Sequence, residues 1–179
     1  MYKLICFLFA TFLFHYSQAQ KFITKTGVCE FSASVPAFEP IEAKSEKMLG
    51  VLNSENGEVA ALVEITTFNF PISLMQEHFN ENYMDSHKFP KATFTGKIND
   101  FQLSADSTRS KVNGKLTIHG VEKEIEADIV YLGTQGSVYV RSNFVIRPED
   151  FKIKIPKVIT KKIAEEVNVE LILNLKPKE

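Results

Sequence analysis

Tryptophan is absent from this 179-residue chain, and cysteine occurs only at Cys6 and Cys29. Cys6 falls inside a leading apolar run, too early to be a lipid-attachment cysteine at the end of an export signal. Once that run is removed a single thiol remains, which excludes an internal disulfide. The formal net charge is −1, so the basic surface that nucleic acid requires is missing. No HExxH, no paired ExxH, no GxSxG elbow and no Gly-rich phosphate loop occurs, which removes the common sequence signatures of zinc hydrolases, serine hydrolases and nucleotide-binding enzymes. No internal repeat or low-complexity linker divides the chain. Beyond the N-terminus no stretch is apolar enough to cross a membrane.

The N-terminal "MYKLICFLFATFLFHYSQAQ" has the order of a secretory signal: Lys3 as the positive region, Leu4 to Phe14 as a short apolar region, and small residues at Ser17 and Ala19 for cleavage before Gln20. Residues 1–19 are therefore expected to be a signal peptide, and residues 20–179 a single exported domain, periplasmic or secreted. With 44% hydrophobic residues and 15 phenylalanines, that domain can build a large apolar interior. Phenylalanine buries area without a polar atom in need of a partner. Cys29, in a strand-like context, reads as a small core hydrophobe.

Period-two alternation dominates. "VNVELILNLK" places Val167, Val169, Leu171, Leu173 and Leu175 on one face, with Asn168, Glu170 and Asn174 on the other. "SVYVRSNFVIR" sends Val138, Val140, Phe144 and Ile146 inward and Arg141, Asn143 and Arg147 outward. "KATFTGKI" groups Ala92, Phe94 and Ile98. "VNGKLTIHG" and "EKEIEADIVYL" form a hairpin about His119-Gly120, with Gly120 free to take a positive φ. Its carboxylates Glu122, Glu124, Glu126 and Asp128 lie outside. "FEPIEAKSEKMLGVLN" and "GEVAALVEITTF" are two further strands joined by the turn "NSENG". Many short strands with one apolar face make a sandwich or a closed antiparallel barrel. The tail "KPKE" is expected to fray.

One segment breaks the pattern. "PISLMQEHFNENYM" has helical spacing, and Ser73 followed by Gln76 resembles a capping box. Leu74, Met75, His78, Phe79 and Asn82 then share a side, and a short helix is expected at about 73–84. Further helical turns are expected at "RPEDF" and near "VITKKIAEE". Of the three histidines outside the leading run, His78, His87 and His119, only His78 has a carboxylate at helical spacing, Glu81. Convergence on a metal is therefore not expected, and no metal or cofactor is assigned. Cys29 with a histidine is the one conceivable nucleophile–base pair, and no spacing supports it. The apolar bulk of Leu74, Met75, Phe79, Tyr83, Met84, Phe89 and Phe94 either fills a barrel interior or lines one side of a cavity.

The blocks "LMQEHFNENYMDSHKFPKATFTGKI", "VNGKLTIHGVEKEIEADI", "SNFVIRPEDFKIKIP" and "VNVELILNL", in that order, resemble the YceI-like family of lipid- and polyisoprenoid-binding proteins. His78, Phe89-Pro90, Phe94, Gly114 to Val121, Phe144, Arg147 and Asp150-Phe151 fall on its motif. The likeness runs from about Phe22 to Leu175 and is densest after Leu74. Two features depart from the family pattern: "TKTGVCEFSASVPAFEPIEA" lacks histidines in the opening strands, and Glu122 stands where threonine is usual. The resemblance implies an all-β, antiparallel lipocalin-like barrel with no enzymatic activity and no metal. It implies an exported carrier that holds an amphipathic lipid such as a polyisoprenoid in an apolar interior. Leu74, Met75, His78, Phe79, Tyr83, Phe89, Phe94, Leu116, Ile118 and Phe144 are the candidate ligand-lining residues. Hydrogen bonding at the mouth falls to His78, Arg141 or Arg147. A filled barrel with a structural or protein-interaction role is the alternative, and a second copy of the chain is a candidate partner.

Overall fold

The computed structural model describes residues 21–35, 38–156 and 163–178. Eight antiparallel strands form one closed barrel in up-and-down order: β1 (Lys21–Ser34), β2 (Glu42–Asn53), β3 (Glu58–Glu64), β4 (Lys91–Ile98), β5 (Thr108–Ile118), β6 (Val121–Gly133), β7 (Val138–Ile146) and β8 (Ile163–Pro177), with β8 paired to β1. Closure leaves no edge strand, since each strand pairs with two neighbours over at least part of its length. The alternation read from sequence recurs through the barrel and slips by one residue in β1 at Lys25-Thr26 and in β2 at Glu46-Lys47, where the β1–β2 register shifts. In β8, Val167, Val169 and Leu175 are buried, whereas Asn168 and Asn174 are exposed.

Topology gives the barrel two unlike ends. The β2–β3, β4–β5 and β6–β7 turns gather at one end, here the floor. Phe22, Leu52, Ile98, Tyr131, Val138 and Leu175, each at most 1% exposed, pack there as a solid layer. Phe101 covers this layer, its ring 5.1 Å from that of Tyr131. The two longest connections, β3–β4 and β7–β8, lie at the opposite end, the mouth, with the β1–β2 and β5–β6 connections. The β5–β6 hairpin turns on two residues, with Ile118 paired to Val121 and both His119 (φ 51°) and Gly120 (φ 72°) left-handed. That double positive φ matches the right-handed twist of the strands it joins.

The excursion between β3 and β4 holds the short helix α1 (Ser73–His78), which continues into a π-helical turn over Phe79–Tyr83. The expected capping box is not formed. Ile72 is the N-cap without a side-chain bond, and Ser73 is the first helical residue. Gln76 Oε1 instead accepts the backbone N–H of Phe70 at 3.1 Å, so the glutamine ties down the approach to the helix. The π turn also corrects the expected face. The Met84 N–H donates to the Phe79 carbonyl, five residues back, at 2.9 Å. This wider turn carries Tyr83 and Met84 toward the interior and leaves Asn82 exposed.

The expected turn at "RPEDF" is a 3-10 turn over Pro148–Phe151. Near "VITKKIAEE" no helix forms at the part described, since Ile163 to Glu166 begin β8, and residues 157–162 lie outside the described residues. The C-terminus is also tied down: Pro177 pairs with Phe22 in the sheet, and the Lys178 N–H donates to the Lys21 carbonyl at 2.7 Å. The leading apolar run, residues 1–20, lies outside the described residues.

Candidate functional site

Above the floor the barrel is hollow. A cavity of about 530 Å³ lies over that floor, bounded below by Val59, Val112, Ile129 and Val140. Its walls are the inward residues of the strands, among them Cys29, Phe31, Ala61, Ala92, Leu116, Ala127, Val169, Leu171 and Leu173. Small side chains at Ala61, Ala92 and Ala127 leave open space that larger residues would fill. Phe94 lies against the directly paired Gly96 and Gly114. A Cβ at either glycine would come within 2.7 Å of its ring. Those two glycines let the ring lie along the wall rather than stand up into the lumen.

An aromatic group supports the mouth. Phe31, Phe68, Phe70 and Phe79 pack with ring centroids 5.0–5.8 Å apart. Beside them α1 presents Leu74, Met75 and His78 to the cavity, together with Ile41, Glu39 and Ile155 from neighbouring connections. Leu74 is 58% exposed, so it belongs to the rim. Ionisable and polar groups are few and mostly high in the cavity. Glu39 and His78 stand at the mouth, and Tyr83, whose phenol is pushed above its ordinary pKa by burial, lies just beneath. Within the wall, Ser142 spends its hydroxyl on the Asp128 carbonyl at 2.9 Å. Burial raises the Cys29 thiol from 9.0 to about 12. At neutral pH it is a neutral, apolar wall residue rather than a nucleophile.

Nine of the ten residues expected to line a cavity do so: Leu74, Met75, His78, Phe79, Tyr83, Phe94, Leu116, Ile118 and Phe144. Phe89 does not. Its ring packs 4.4 Å from that of His119 and against Gly120, at the outside of the β5–β6 turn. It follows a tight turn in which its own N–H donates to the Asp85 carbonyl, and this aims the ring away from the lumen. Arg141 on β7 and Arg147 just after it face outward and pair with Glu170 and Glu166, so of the three candidate mouth groups only His78 reaches the cavity. His87 is exposed and His119 is bonded through Nδ1 to the Phe151 carbonyl at 3.2 Å. Among the described residues, no three His, Cys, Asp or Glu side chains gather as metal ligands would.

Sequence reading passed over Phe31, Phe68 and Phe70. Their only signal is local alternation, in "VCEFSA" and "TFNF", which does not show that they meet under the helix.

The fold recurs in solved structures. A polyisoprenoid-binding domain from Saccharophagus degradans implicated in plant cell wall breakdown superposes with a TM-score of 0.75 at 14% identity, over 90% of this chain and 100% of that one. BcnA of Burkholderia cenocepacia gives 0.69 at 18% identity, covering 83% and 94% of the two chains. A Campylobacter jejuni YceI protein gives 0.65 at 19% identity, covering 79% and 88%. No curated protein sequence matches the chain. The sequence profile of the YceI-like domain matches residues 17–175, and with the closed eight-stranded barrel described above it establishes that this chain belongs to the YceI-like family.

Proposed function

We propose that this protein is an exported, non-enzymatic carrier that holds an amphipathic lipid, such as a polyisoprenoid, in the barrel. The observation that carries this reading is the cavity itself: about 530 Å³, within the range of roughly 300–1,000 Å³ usual for ligand sites, and apolar from the floor to the rim. A filled structural barrel would have used larger residues at Ala61, Ala92 and Ala127. The polyisoprenoid-binding domain among the structural neighbours supports the choice of cargo.

Elementary energetics favour a long chain. Each CH2 withdrawn from water contributes about 0.8 kcal/mol. Association costs roughly 4–15 kcal/mol in lost translational and rotational freedom. Ten buried carbons, about 8 kcal/mol, barely offset that cost, whereas twenty, about 16 kcal/mol, exceed it. The tail enters the dry interior, and the polar head remains with Glu39, His78 and Tyr83. Export follows from the signal-like residues 1–19, with cleavage after Ala19 and a mature domain of residues 20–179, periplasmic or secreted.

The test is native mass spectrometry of the chain beginning at Gln20, purified without detergent from an exporting host. A lipid-sized adduct that leaves on organic extraction is expected. A bare mass that persists after incubation with polyprenols and long-chain lipids would overturn the reading, and a metal-sized adduct would replace it.

A further inference from the structure

Among the described residues the barrel wall parts in two upper stretches: β2 and β3 pair only from Leu49–Leu62 to Leu52–Val59, with the excursion after β3 bridging back to β2 at Lys44–Asn69, and β6 and β7 also pair over only part of their length. β5 pairs with β6 along its whole length, Thr108–Tyr131 to Ile118–Val121, and β7 pairs with β8 from Val138–Leu175 to Ile146–Val167. Between β6 and β7, however, pairing runs only from Gly133–Val138 to Asp128–Asn143. Above that point Val121 to Ala127 of β6 and Phe144 to Ile146 of β7 have no strand pairing across the wall. The gap is framed. At its lower lip the Ser142 hydroxyl donates to the Asp128 carbonyl, the last carbonyl before the strands part. At its upper lip the 3-10 turn after β7 reaches back to the β5–β6 hairpin, where His119 Nδ1 donates to the Phe151 carbonyl.

Three further observations converge on this gap. A groove of about 460 Å³ lies on the outer surface, and the residues Phe31, Ala127, Phe144 and Val169 line both it and the interior cavity. Phe144, the first residue of β7 above the last pair, packs against all three apolar clusters of the barrel and is only partly buried. Its neighbour Val145 points outward and at 52% is the most exposed large hydrophobic residue on the strands.

We propose that the barrel has a second, lateral opening between β6 and β7, closed in this structure by Phe144, through which the chain of the bound amphiphile passes into and out of the cavity. The inference rests on the carrier reading and extends it to the route of exchange. Opening requires a ring to swing, not a ladder of backbone hydrogen bonds to break, which lowers the cost of a breach here. The axial mouth, by contrast, is held by the Phe31, Phe68, Phe70 and Phe79 group beneath α1.

The experiment bridges the gap. Glu126→Cys and Val145→Cys together place two outward thiols across it, two residues beyond the Asp128–Asn143 pair. They are joined by oxidation or, where the strands are too far apart for a disulfide, by a short bis-maleimide. The buried Cys29 thiol stays out of the reaction. Uptake and release of N-phenyl-1-naphthylamine, an apolar fluorophore, are followed by stopped flow; the chain contains no tryptophan to interfere. Bridging is expected to slow both rates by about tenfold or more with little change in affinity, the behaviour of a gate rather than a contact. Reduction of the disulfide restores them. Glu64→Cys with Lys91→Cys, across the paired β3–β4 wall, is expected to leave the rates unchanged when bridged. Phe144→Ala is expected to speed exchange. Equal rates before and after bridging at Glu126 and Val145, or equal slowing by the control bridge, would overturn the lateral route while leaving the carrier reading intact. No uptake of the probe by the unmodified protein would overturn both.

Discussion

Cys29 offers a quantitative test of whether the cavity wall is dry. Its thiol is 6% exposed and its pKa rises from 9.0 to about 12 on burial. In the unfolded chain the thiol loses its proton as pH passes 9, whereas in the folded chain it keeps it until about 12. A folded pKa raised above the unfolded value means that the protonated, folded form is favoured below pH 9 and that this advantage drains away as pH rises from 9 toward 12. The full difference of three units corresponds to about 4 kcal/mol, accumulating at about 1.4 kcal/mol per pH unit. Cys29→Ala lacks the titration. Below pH 9 the variant should be the less stable protein by about 1–2 kcal/mol, from the lost packing of the sulfur. By pH 10.5 that gap should have closed by about 2 kcal/mol, so that the two proteins become equally stable or exchange order. Urea unfolding followed by far-UV circular dichroism, under a phosphine reductant, measures the gap at each pH, and the lysines and tyrosines common to both proteins cancel. A gap that stays constant from pH 8 to 10.5 would mean that water or a polar partner reaches the thiol and that the wall is not dry.

Three more outcomes follow from the same geometry. Ala61→Phe, which puts a ring into the open lumen, should abolish the lipid adduct in native mass spectrometry while the thermal midpoint moves by no more than about 4 °C; an undiminished adduct would place the cargo elsewhere. His78→Ala should weaken binding of a polyprenol several-fold without changing stability, because the imidazole stands at the rim; unchanged affinity by titration would remove its role at the mouth. Gly120→Ala forces a side chain onto a φ of 72° and sets a Cβ 2.5 Å from the Phe89 ring. It should cost about 2 kcal/mol in urea unfolding, from left-handed strain and displacement of the ring; a loss below about 0.5 kcal/mol, the range of neutral surface changes, would contradict the packing described for the hairpin.

Surface charge should contribute little by comparison. Lys111–Glu126, Lys115–Glu122 and Arg147–Glu166 join exposed side chains across neighbouring strands. Exposed pairs of this kind are worth about 0–1 kcal/mol and are screened by salt. They mark the outer face of the barrel and discourage aggregation; the fold rests on the apolar floor.

Alternation alone was enough to write down most of this molecule. A strand exposes successive residues to opposite faces, so "VNVELILNLK", "SVYVRSNFVIR" and "EKEIEADIVYL" declare an inside and an outside without reference to any neighbour. The hairpin at His119-Gly120 declared itself in the same local way. Which inward residues would meet a solid floor and which would face empty space was decided only by the closed barrel. Val138 and Phe144 alternate in register on the same strand, yet one is fully buried in the floor and the other borders the lumen. Depth along the axis is set by the stagger of eight strands, which no single segment encodes.

The helical segment shows the same division. Its existence was readable from spacing, but the π turn that brings Tyr83 and Met84 inward arises from how the excursion closes over the mouth. Phe89 was misplaced because a turn bonded to Asp85 directs its ring to His119 rather than into the barrel. The parting of β6 and β7 has no signature in either strand, since both keep their alternation beyond the last pair. Side-chain periodicity is a property of one strand; pairing is a property of two, and only the folded barrel determines where it stops.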